Sequence, residues 1–111
     1  MSAQQKLARL AALARMVGDH HLADLRRLAN DKARSEACLA ALAQTAPAGL
    51  GFVADAQASQ RYQHWADTRR TEINLTLARQ TAEWNLARDA ATLAFGRQQV
   101  LDCLARSEKG S

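Results

Sequence analysis

One break interrupts this chain, and it constrains everything else. Thr45-Ala46-Pro47-Ala48-Gly49-Leu50-Gly51 puts a helix-stopping proline and two glycines within five residues. No comparable cluster occurs elsewhere, so the sequence predicts two helices, about 3–44 and about 53–107, joined by a turn at 45–52. At 1.5 Å per residue these are rods of roughly 60 and 80 Å. Helices so long, joined by so short a connection, cover their apolar faces most simply by folding back on each other. Composition excludes the β alternatives. Five glycines, one proline, 5% aromatic and 48% hydrophobic residues, much of that Ala and Leu, supply too little turn chemistry for a sandwich or barrel. The expected fold is all-α, two long helices in an antiparallel coiled-coil hairpin, one domain over residues 1–111.

Periodicity orients the helices. On the first, Leu10, Ala14, Val17, His21, Leu25, Leu28, Lys32, Ser35, Leu39 and Leu42 recur at three- and four-residue steps, a seam with a polar middle and an expected stutter near His21 to Leu25. On the second, Ile73, Leu77, Gln80, Trp84, Ala87, Ala91, Phe95, Gln98 and Leu101 share one line, while Leu75, Ala82, Leu86, Leu93, Val100 and Leu104 share another. One partner helix covers one line. The other needs a second copy of the chain or a different protein. Arginines at 61, 70, 79, 88, 97 and 106 form two opposite rows beside these lines, with helix pairs such as Asp102 with Arg106 expected.

A turn near residue 48 would place Ala3 opposite residue 94 and Cys38 near Ser59. In that register about the last 13 helical residues have no first helix beside them. Phe95, Val100, Leu101 and Leu104 project from this overhang, flanked by Arg97 and Arg106, so partner binding is expected on the distal part of the second helix from Arg88 to Arg106.

Chemistry-bearing constellations do not emerge. His20, His21 and His64 do not converge, and Cys38 and Cys103 form neither a CxxC pair nor a bridgeable couple, so no metal or disulfide is expected. Gly49-x-Gly51 lacks the Gly-Lys of a phosphate loop. The chain is therefore expected to be a non-enzyme without cofactor or small-molecule substrate. A net charge of +4 comes from dispersed, mostly arginine cations, interleaved with Glu72, Glu83 and Asp89. That is neither a continuous basic face nor an aromatic platform, which ranks a basic DNA-associated protein last. Lys6, Arg9 and Arg15 interrupt the first apolar stretch, so neither a signal peptide nor a transmembrane segment is expected and the location expected is cytoplasmic.

The opening Lys6-Leu7-Ala8-Arg9-Leu10-Ala11-Ala12-Leu13-Ala14-Arg15, with Trp84-Asn85-Leu86-Ala87-Arg88 and Ala94-Phe95-Gly96-Arg97, resembles the FliJ/YscO family. These are the central stalk proteins of flagellar and virulence type III secretion. The resemblance implies a coiled coil inserted into the pore of a hexameric secretion ATPase, contacting the export gate and substrate chaperones. It further implies a place at the inner face of the membrane through those partners. The alternative reading is a dimerising structural or chaperone-like helical module.

Overall fold

Ser2 starts the first helix. Its hydroxyl accepts the Gln5 amide at 3.2 Å, while Gln5 Oε1 accepts the Ser2 amide at 3.0 Å. This reciprocal box satisfies two donors that a helix start leaves open. The computed structural model describes residues 2–43, 49 and 51–110 and contains two helices, α1 (Ala3–Ala41) and α2 (Phe52–Gly110), with no strand among the described residues. The all-α, two-helix architecture expected from the sequence is the fold. Helix α1 ends at Ala41 rather than 44, and α2 continues to Gly110 rather than 107. Gln44 and most of the expected turn, Pro47 included, lie outside the described residues.

The two helix ends near the turn are closed by different chemistry. Leu42 and Ala43 donate their amides to the Leu39 and Ala40 carbonyls at 3.2 and 3.1 Å, tightening the last turn of α1. The Leu42 carbonyl then accepts the Tyr62 hydroxyl at 3.4 Å and the Arg70 guanidinium at 3.2 Å. A cation from α2 thus sits at the negative end of the α1 dipole. At the start of α2, Gly51 takes φ 106°, a left-handed value that lacks a Cβ penalty only for glycine. Its carbonyl accepts the Asp55 amide at 2.8 Å, and the Asp55 carboxylate accepts the Gly49 amide at 3.4 Å.

Helix pairing falls into two units, a terminal unit (Met1–Ala29 with Glu83–Ser111) and a turn unit (Asn30–Ala82). In the turn unit, Leu42, Ala66 and Ile73 form the buried core with Leu39 and Tyr62 against it, and Ser35 donates to Gln80 Oε1 at 2.7 Å. In the terminal unit, Ala11, Gly18, Ala91 and Ala94 are buried, Arg15 pairs with Asp102 at 3.3 Å, and Gly18 lies against the Gln98 side chain. The helices run antiparallel within each unit.

Two expectations are corrected. Along α1 and the turn that ends it, Leu7, Ala11, Ala14, Gly18, His21, Leu25, Leu28, Lys32, Ser35, Leu39 and Leu42 are buried or half-buried at alternating four- and three-residue steps, with Leu22, Asp24 and Asp31 half-buried beside them. Leu10 and Val17, expected in the seam, are 49% and 51% exposed, while their neighbours Ala11 and Gly18 go inside. On α2 the same slip exchanges exposed Phe95 for buried Ala94. Small residues let two backbones approach closely, so the seam selects them over the larger apolar side chains beside them.

The register also differs. Arg15 meets Asp102 and Ser35 meets Gln80, each about twenty residues farther along α2 than a turn at residue 48 would place it, roughly 30 Å of helix. Likewise Cys38 sits with Ile73 and Thr76 rather than near Ser59. The cause is visible at Leu42, whose carbonyl is held between Tyr62 and Arg70, so pairing begins well inside α2. The end of α2 expected to be bare therefore has α1 alongside it.

Candidate partner-binding edge of the terminal unit

The last half of α2 carries two seams. Trp84, Ala87, Ala91, Ala94, Gln98, Leu101 and Ala105 are buried or half-buried. Leu86, Ala90, Leu93, Arg97, Val100 and Leu104 follow the same four-and-three spacing on a line about 110° away. That second line is open to solvent: Leu86 is 71%, Leu93 64% and Val100 58% exposed. Helix α1 contributes Leu10, Leu13 and Val17, each about half exposed, to the same edge. Together they form a groove of about 460 Å³ lined by Leu10, Leu13, Val17, Leu93, Arg97 and Leu101, among others. It continues past Gly96 and Val100 through their shared neighbours Leu93, Arg97 and Leu101.

Arg97 is the one formally charged residue among those lining this groove and its continuation, and Asp19, Asp89 and Asp102 flank the stretches that build it. Arg15 is turned to the opposite edge of the unit, where it pairs with Asp102 near Gln4 and Arg106. In the turn unit, the groove lined by Asp31, Arg34, Cys38, Arg69, Glu72 and Thr76 has both signs, with Arg69 bonded to Glu72 at 2.9 Å.

Of the expected partner-binding residues, Arg97, Val100 and Leu101 come together here, and Leu104 continues their line. Phe95, Arg88 and Arg106 project away from it. Arg88 lies 5.2 Å over the Trp84 ring and 3.8 Å from Asp89, and Arg106 is 3.5 Å from Cys103 Sγ on the opposite side. The expected Asp102–Arg106 pair gives way to Asp102 with Arg15. Sequence reading missed Leu10, Leu13 and Val17 as site residues because the shorter register placed α1 elsewhere. The signal for the rest was present, since the second seam is legible from Leu86 to Leu104.

The remaining chemistry-bearing groups do not assemble. Among the described residues no three His, Cys, Asp or Glu side chains are grouped to hold a metal, and Cys38 and Cys103 are free and exposed. The His20 and His21 rings meet in a T-shaped arrangement, 6.0 Å between ring centres. Asp24 is held below its usual carboxyl range by the Arg27 guanidinium, hydrogen-bonded at 2.6 Å. No helix among the described residues is long and apolar enough to cross a membrane. No protein-family model, curated protein or solved structure matches this chain.

Proposed function

We propose that this chain is a non-enzymatic helical hairpin that works by binding other proteins along the exposed edge of its terminal unit. The observation that carries this reading is the second seam from Leu86 to Leu104, spaced as a helix-packing surface yet left open by α1. The finer proposal is a central stalk of a flagellar or type III secretion ATPase, with export-gate proteins or chaperones as further partners. Its support is the resemblance of residues 6–15, 84–88 and 94–97 to the FliJ/YscO family. A rod in a six-fold pore would act through unequal contacts, biasing subunits by differential affinity for their states.

A second reading, a homodimer, has one observation in its favour: in an antiparallel pair, Leu86 would level with Leu104, Ala90 with Val100 and Leu93 with Arg97 of the other copy. Mass measurement of the chain mixed with a purified hexameric secretion ATPase decides among these. One chain per hexamer is the expected species. A chain that stays apart from the hexamer refutes the stalk reading, and a concentration-dependent dimer supports the second.

A further inference from the structure

We infer that the terminal-unit groove receives an amphipathic helix of another protein whose polar flanks are acidic, an inference that rests on the partner-binding reading above but not on the stalk. Three observations converge. The lining follows the alternation of four- and three-residue steps along α2, which complements helical side-chain rows. It is a trough between two helices, with Leu10, Leu13 and Val17 on one wall and Leu93, Val100 and Leu101 on the other. That shape fits a third rod better than the plane of a lipid surface.

Charge selects the partner. Arg97 lines both the trough and its continuation, and no acid lines either. A second copy aligned as above levels Arg97 with Leu93 and brings no acid from its own groove lining, whereas carboxylates on the flanks of an incoming helix would meet Arg97.

Gly96 adds an independent sign. Inside a helix, glycine costs about 1 kcal/mol relative to alanine. A Cβ at Gly18 would come within 2.8 Å of Gln98 Oε1, so that glycine makes room for a neighbour. At Gly96 nothing lies within 4 Å of the corresponding position, although the residue lines the continuation of the trough. The chain alone gives no use for that gap. A partner backbone passing close to α2 would.

The test is selection from a displayed library of helical peptides about sixteen residues long, with a fixed leucine seam and randomised flanking positions, against the full chain. The expected pool is enriched in Asp and Glu. Its members should lose at least tenfold in affinity to Arg97→Glu and to Leu93→Ser/Val100→Ser, with helix content held by circular dichroism. Gly96→Ala should raise the thermal midpoint while weakening the same peptides severalfold. A neutral or basic pool overturns the inference. So does an empty pool, whether it comes with a dimer in sedimentation or with co-sedimentation on phosphatidylglycerol vesicles. If acidic helices are selected while the secretion ATPase does not bind, the inference stands and the stalk reading falls.

Discussion

The turn unit and the terminal unit use the same helix pairing to different ends. In the turn unit the core holds Leu42, Ala66 and Ile73, and the groove beside it is lined by Asp31, Arg34, Arg69 and Glu72, charges of both signs within one chain. In the terminal unit the buried residues are Ala11, Gly18, Leu28, Ala91 and Ala94, and the corresponding groove is apolar with Arg97 as its one formal charge. Both units leave large side chains outside, Leu75 and Trp65 in the turn unit and Leu86, Leu93 and Val100 in the terminal unit, but only in the terminal unit do they line an apolar groove between the helices, where they contribute little to folding and remain available to a partner.

Substitutions should separate the two roles. The largest effect is expected at Ile73, 7% exposed in the turn-unit core: Ile73→Ala should cost about 2–4 kcal/mol in denaturant unfolding through lost burial and the cavity left behind. The comparable truncation Leu93→Ala, at a side chain already 64% exposed, should change stability by less than about 0.5 kcal/mol. Equal losses at the two positions would remove the distinction between core and edge.

A smaller loss, about 1–2 kcal/mol, is expected for Arg70→Ala, because the Leu42 carbonyl loses its charge-assisted bond at the end of α1. Hydrogen exchange should then rise in the last turn of α1 with little change near Ala11. Arg15→Ala removes an exposed ion pair to Asp102 and should cost no more than about 0.5 kcal/mol, and that loss should shrink with added salt.

The smallest effect is a pH dependence at Asp24. Its carboxyl is depressed by the hydrogen bond from Arg27, so the interaction is present above the unfolded carboxyl pKa of about 3.9 and is lost as pH falls through the folded value. Carbon-detected titration should show Arg27→Ala returning Asp24 to the ordinary range. An unchanged titration would dismiss the bond.

Much of this arrangement was legible in the sequence, and the misses have one physical source. Ile73, Leu77, Gln80, Trp84, Ala87, Ala91, Gln98 and Leu101 were read onto the inward line of α2 because periodicity alone places them. Leu10 against Ala11, Val17 against Gly18 and Phe95 against Ala94 slipped by one position, since hydrophobicity favours the larger residue where close backbone approach favours the smaller. Register was not legible at all. It depends on where Tyr62 and Arg70 meet the Leu42 carbonyl, a tertiary contact between residues that no local pattern links. The site inherited that error: Leu93, Arg97, Val100 and Leu104 could be read as a stripe, but their companions Leu10, Leu13 and Val17 could not.

The edge exists only if both helices build it, and the separation between residues 13 and 101 tests that most directly. Spin labels at Leu13→Cys and Leu101→Cys, with Cys38 and Cys103 replaced by serine, can be measured by pulsed dipolar spectroscopy. Both positions line the same groove, so the label separation should fall below about 20 Å, within the span of two packed helices and their side chains. A turn at residue 48 would instead set Leu13 opposite position 84, seventeen residues away, and the labels about 25 Å or more apart along α2. That longer distance would contradict a groove shared by α1 and α2.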